Sequence, residues 1–313
     1  MKVALGGAVG LSLPLAACGG GGPSPLTATP LADGLVLITG AGGNVVAARG
    51  PDGLVLVDGG TSEFAEEVVR VAGRELGGRD VAALFNTHWH HEQTGANALV
   101  GEGGGRIIAH EKTRLWLATE VTRPWEPDVT FEPYPEEARP TETIYDAAEL
   151  ALGDERVEYG YLTQAHTDGD IYVFFRDANV LVAGGAVSND RWPVVDWWTG
   201  GWMGGASQNL NANAVPVYGG LVGGMQALLD LADEETVIVP ANGPALDRAE
   251  LASQAEMYAG IADRLRELMF QSKSPAEAVA AAPTAGFKED WGDPSLFVTL
   301  AFQSLWGHYT PDA

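Results

Sequence analysis

The sequence predicts an α/β fold in which two β-sheets pack together with helices on the outside, all in one domain. Three observations lead there. Short β-rich runs are mixed with helical segments in two successive halves, no sequence repeat relates the halves, and no linker interrupts residues 31–313. With 313 residues and 46% hydrophobic content, the chain is long enough to bury one large core or two modest ones.

In order along the chain, Leu35–Thr39, Asn44–Ala48 and Leu54–Val57 read as a meander of antiparallel strands, broken by glycine pairs and by the turn signal Pro51-Asp52-Gly53. Ser62 is placed to cap a helix with Glu63, Glu66 and Glu67 in its first turn and Phe64, Val68, Val71 and Ala72 on one face; Gly77 ends it. A buried strand, Val81–Phe85, follows. In the second half Val157–Leu162, Ile171–Phe175, Val180–Ala183 and Thr236–Val239 read as strands, with a helix through Met225–Leu231 between the last two. From about residue 246 the pattern is helical, with Leu251, Ala255, Tyr258, Ala262, Leu265 and Met269 spaced by three and four. Lys273-Ser274-Pro275 starts a further short helix.

Charge narrows the partners. Against 18 basic side chains stand 42 acidic ones, a formal net charge of −24 scattered along the chain, so nucleic acid and anionic membrane surfaces are repelled and a small-molecule substrate is expected. Residues 1–17 are small and apolar apart from Lys2, which suits a signal-peptide core rather than a membrane span. They end in Leu15-Ala16-Ala17-Cys18-Gly19, which resembles the lipobox of bacterial lipoproteins, with the chain's one cysteine at the lipid-bearing position. The expected organisation is therefore a lipoprotein signal peptide over 1–18, a flexible Gly/Pro/Ser/Thr tether over 19–30, and a folded domain over 31–313. The expected location is exported, periplasmic or cell-envelope, lipid-anchored, with no other membrane contact. No thiolate remains in the domain as metal ligand or nucleophile.

The chemistry concentrates in Asn86-Thr87-His88-Trp89-His90-His91-Glu92-Gln93-Thr94-Gly95-Ala96-Asn97, directly after the buried strand. Histidines two apart in an extended segment project to one side, so His88 and His90 can reach one metal ion while His91 points away. A lone histidine pair carries little weight among six histidines, and the surroundings strengthen it.

Together with Val55-Leu56-Val57-Asp58-Gly59 upstream, this loop resembles the metallo-β-lactamase superfamily, whose hallmark reads H-x-H-x-D-H. Ala165-His166-Thr167-Asp168-Gly169-Asp170, then Val182-Ala183-Gly184-Gly185, then Val239-Pro240-Ala241-Asn242-Gly243-Pro244 follow in the expected order, and the resemblance covers residues 31–245. It implies an αββα sandwich, two mixed β-sheets flanked by helices, with a metal site at one edge. It also implies His88, His90 and His166 as the ligands of a first metal, Asp58 as a buried structural aspartate and Asp170 as a partner behind the ligands, with Asp168 a turn residue. The second metal's places, by the same resemblance, carry Glu92, Gln93, Gly185 and Asn242. Glutamate keeps a carboxylate; glutamine and asparagine are feeble zinc ligands and glycine offers no side chain.

Three neutral imidazoles leave the charge of a zinc ion uncompensated, the arrangement that lowers the pKa of a bound water to about 7. The reading is a hydrolase with one zinc per chain, whose zinc-bound hydroxide attacks an ester, thioester, lactam or similar bond while Glu92 orients the water or accepts its proton. The alternative is a noncatalytic pseudoenzyme or binding protein on the same fold. Trp192, Trp197, Trp198 and Trp202, interleaved with glycines, form either a ligand-stacking surface or a self-packed loop.

Overall fold

The computed structural model describes residues 25–204 and 219–309. Cys18 and the expected signal peptide lie outside the described residues. The first sheet begins with β1 (Thr27–Ala32), β2 (Leu35–Thr39), β3 (Val45–Arg49), β4 (Leu54–Val57), β5 (Val81–Phe85) and β6 (Arg106–His110). After a small separate hairpin of β7 (Val121–Thr122) and β8 (Thr130–Phe131), β9 (Glu142–Ile144) completes it in the order β1-β2-β3-β4-β5-β6-β9. Pairing is antiparallel up to β4 and parallel beyond. The second sheet runs β10 (Ala147–Leu152), β11 (Glu155–Tyr161), β12 (Ile171–Phe175), β13 (Val180–Ser188) and β14 (Val237–Asn242), antiparallel except for the parallel last pair.

The sequences of the central strands are apolar on both faces because each face meets a different layer. Val46, Val57, Phe85 and Ile108 pack between the sheets on Val157, Val173, Phe175 and Val182. Their neighbours Val45, Leu56, Leu84 and Ile107 point the other way, onto Val68, Val71 and Ala72 of α1 (Ala65–Leu76). On the far side Tyr172, Phe174, Leu181 and Ala183 meet the long C-terminal helices. The layers are thus helix, sheet, sheet, helix.

Short helices α2 (His91–Thr94), α3 (Asn97–Glu102) and α4 (Glu111–Leu117) flank the first sheet's parallel half, and α5 (Gly220–Leu231), α6 (Arg248–Phe270), α7 (Pro275–Ala280) and α8 (Ser295–Tyr309) cover the second sheet. Capping boxes at Asp247/Glu250 and Ser274/Glu277 start α6 and α7. No described helix is long and apolar enough to cross a membrane.

Two expectations are corrected. The flexible tether expected over 19–30 ends earlier, since Thr27–Pro30 pair with Val36–Thr39 as an edge strand. Leu26 also sinks into the core, so the apolar alternation needed to hold an edge strand begins earlier than the polar composition suggests. Ser62 does not cap α1: it lies in a 3₁₀ turn, Ser62–Phe64, and the helix starts at Ala65 behind Phe64 with no side-chain cap. Strands β9 and β10 and helix α8 carry patterns too short, or too evenly apolar, for periodicity alone to place.

Candidate metal centre

The ends of β4 and β5 hold the histidine loop. Asp58, just past β4, adopts a left-handed φ of 62° that turns its carboxylate back under the loop. There Oδ1 accepts the Thr87 N–H at 2.8 Å and Oδ2 the Thr87 hydroxyl at 2.8 Å. Burial pushes this carboxyl up to about 8, against the lowering by the two Thr87 bonds. A reciprocal amide pair, Asn86 with Asn97 at 2.9 Å each way, fixes the loop's start, and Trp89 Nε1 donates to Thr199 Oγ1 at 3.0 Å. The loop is therefore tied to its own sheet and to the loop after β13.

His88, His90 and His166 converge: one ring nitrogen of each lies within 4.8 Å of the other two, and all three are buried. His90 Nδ1 and His166 Nε2 face each other at 3.0 Å. Each ring's other nitrogen is engaged behind it. His88 Nδ1 meets Thr87 Oγ1 at 3.0 Å, His90 Nε2 meets Asp196 Oδ2 at 2.8 Å, and His166 Nδ1 meets the Val194 carbonyl. Since these partners accept a proton, they set tautomers that leave His88 Nε2, His90 Nδ1 and His166 Nε2 as lone pairs toward a common point. Burial, and the neighbouring rings and Arg123, hold His88 and His90 well below the ordinary imidazole pKa. Burial brings His166 down to about 4, although Asp196 and Val194 pull it upward. The rings are neutral, the state in which imidazole binds a metal.

Asp196 is completely buried, and its Oδ1 accepts from the Thr199 N–H at 3.1 Å. Burial raises its pKa, opposed by the Thr199 bonds and by His166. Asp170 supports the site through the backbone. Its Oδ2 accepts the Thr167 N–H at 2.6 Å and so shapes the turn carrying His166 rather than touching a ring. Asp168 does more than turn the chain, because its Oδ1 accepts from Trp116 Nε1 at 2.7 Å.

The remaining family positions line the same cavity of about 210 Å³: Glu92, Gln93, Gly185 and Asn242 stand around the three rings. Glu92 is outside the ligand set; its Oε2 sits 3.3 Å from His91 Nδ1 on the partly exposed wall. Gly185 is pressed by the imidazoles, since a Cβ there would meet His166 Cδ2 at 2.3 Å. Among the described residues no second cluster of metal-ligating side chains occurs.

A family model described as the metallo-β-lactamase superfamily matches residues 38–262. This chain belongs to the metallo-β-lactamase superfamily. Among solved structures it is similar to a metallo-β-lactamase from Pontibacter korlensis, with 20% identity over 74% of this chain and 98% of that one and a TM-score of 0.54. A metallo-β-lactamase from Hirschia baltica is similar at 15% identity, 75% and 98% coverage and a TM-score of 0.53. The sec-alkylsulfatase Pisa1 from Pseudomonas sp. matches at 14% identity over 92% of this chain with a TM-score of 0.64, and the chain spans about half of that protein. No curated protein sequence matches. At such identities these likenesses establish the metallo-β-lactamase fold.

Within that fold the donor set suits a metal ion: three neutral nitrogens, each backed by an acceptor, open onto a cavity. Sequence reasoning missed Asp196, which sits in the tryptophan-rich stretch, and Arg123, which lines the cavity. The spacing Asp196-Trp-Trp-Thr199, an acceptor three residues before a backbone donor, was the available signal for the first. Of the four tryptophans, Trp192 serves both expectations, stacking on Phe297 at 5.2 Å while lining the cavity. Trp197 and Trp198 pack edge to face at 5.6 Å.

Proposed function

We propose that this protein is a hydrolase with a single zinc ion, acting on an ester, thioester, lactam or similar bond of a small molecule. The observation that carries the reading is the contrast inside one cavity: three convergent imidazoles beside Gln93, Gly185 and Asn242, which stand outside the ligand cluster. Zinc held by three neutral nitrogens supplies Lewis acidity and a nucleophilic water at neutral pH.

The chain's own residues do the rest. Asp196, Thr87 and the Val194 carbonyl keep the rings oriented and the lone pairs inward. Glu92 offers a carboxylate on the cavity wall, its Oε2 beside His91 Nδ1, and is the residue that would orient a water or take its proton. Buried Val187 and partly buried Trp192 and Val194 shield one side of the cavity from bulk water.

Metal analysis of protein lacking its first eighteen residues, after chelation and zinc repletion, combined with turnover of an ester, thioester and lactam panel, tests this. One bound zinc with turnover is the expected result; two tight ions, or one ion without turnover of any member, defeats it. We propose further that Cys18 carries a lipid anchor at the cell envelope. Cys18→Ser should then leave the exported protein in the soluble fraction, and persistence in the membrane fraction would disprove the anchor.

A further inference from the structure

The cavity contains a cation that the proposed hydrolysis does not use. Arg123 follows β7, and its side chain is only 5% exposed. The guanidinium lies over Phe131 at 4.6 Å, with Trp125 at 5.7 Å and Trp89 at 5.9 Å from their ring centres. Glu126, three residues on, pairs with it, but that carboxylate's side chain is 41% exposed. Arg123 Nε is buried and has no hydrogen-bond partner among the described residues. A guanidinium stripped of water is costly unless its donors are filled, and here one is not.

Its position gives the vacancy a meaning. Arg123 lines the same cavity as the three histidines and is close enough for its charge to disfavour protonation of all three. Three neutral ligands leave a divalent ion's charge undiminished, so a loaded cavity presents two cationic centres to whatever enters between them. Arg191, the other arginine on the wall, is already held in a two-bond pair with Asp190. Behind the cations the wall turns apolar, through Trp125, Trp192, Val194 and Leu296.

We propose that Arg123 receives an anionic group of the substrate, and that the substrate is a small, singly charged oxyanion, carboxylate or sulfate in type, on an apolar body that packs against those four residues. The inference rests on the reading of the triad as a catalytic metal centre. The planar guanidinium fork takes two oxyanion oxygens side by side, a geometry that a lysine does not reproduce. Glu126 holds the fork in the ligand-free protein and yields it to the substrate, its own carboxylate turning to the solvent it already reaches.

Tryptophan fluorescence reports binding, because Trp125 and Trp192 stand in the wall. Hexanoate, hexyl sulfate and neutral hexanamide are titrated into the metal-free and the zinc-loaded protein. At least one of the two anions should bind about tenfold or more tighter than the amide, and which one does so separates carboxylate from sulfate. Arg123→Met should erase the preference. Glu126→Gln, at a half-exposed position that tolerates the change, should tighten anion binding about threefold and leave the amide unaffected. Equal binding of charged and neutral probes, or weaker anion binding in Glu126→Gln, overturns the proposal. An anion preference without any turnover by the loaded protein removes the hydrolase reading and keeps the anion site; turnover of neutral and anionic esters with equal kcat/KM removes the anion site and keeps the hydrolase.

Discussion

On one wall of the cavity, His88, His90 and His166 each keep a hydrogen-bond partner behind the ring. On the other, Gln93, Gly185 and Asn242 line the cavity outside the ligand cluster. The backbone there is not loose. Asn44 Nδ2 donates to the Pro240 carbonyl at 2.9 Å and to the Gly243 carbonyl at 2.8 Å, and the Asn189 N–H donates to the Asn242 carbonyl at 2.9 Å. The difference teaches that hydrogen bonds to the backbone carbonyls shape the loop on one wall, whereas on the other wall partners behind the rings aim their lone pairs.

The sharpest break between the walls is His88→Ala. Zinc uptake should vanish, and with it the stabilisation that a ligand bound only to the folded state produces, about 2.7 kcal/mol at a hundred times its Kd, which raises the thermal midpoint. Calorimetry with and without zinc measures both, and a retained shift would move the metal elsewhere. Glu92→Gln comes next: hydrolysis should fall about a hundredfold or more with zinc stoichiometry unchanged, as expected for a base that is not a ligand. Full activity in a steady-state assay would assign the base to another group.

Asp196→Asn tests the supported wall from behind. An amide in place of the carboxylate no longer fixes the His90 tautomer, and zinc affinity should drop by about 10–100-fold in a competition titration with a chromophoric chelator. An unchanged Kd would reduce Asp196 to a loop cap on Thr199. The smallest effect is expected on the emptied wall: Gln93→His combined with Asn242→His should leave stoichiometry at one by elemental analysis, because no bridging carboxylate stands at Gly185. A second tight ion in that double variant would break the comparison outright.

Much of this was legible in the sequence, for identifiable reasons. Leu35–Thr39, Leu54–Val57, Val81–Phe85 and Ile171–Phe175 are short apolar runs between strong turn signals, and the structure places strands on these spans. His88 and His90 were legible because they lie two residues apart in one extended loop, whereas His166 was reached only through the resemblance to the superfamily's later landmark. Asp196 and Arg123 were not, since both lie outside regular elements: the His90 partner of Asp196 is 106 residues away, and the cavity that Arg123 lines is assembled from segments distant in the chain. Capping by Ser62 failed for the opposite reason, a correct local signal overruled by a 3₁₀ turn that delays the helix to Ala65.

The crowding at Gly185 also sets what a side chain there would cost. An added Cβ would meet the His166 ring, which is buried and tethered to the Val194 carbonyl, as well as His88 Cε1 at 3.0 Å. An aspartate introduced at that position alone must therefore displace one of the converging rings before it can offer a ligand of its own. The glycine acts as a spacer for the triad: its missing side chain is the room in which the His88 and His166 rings stand.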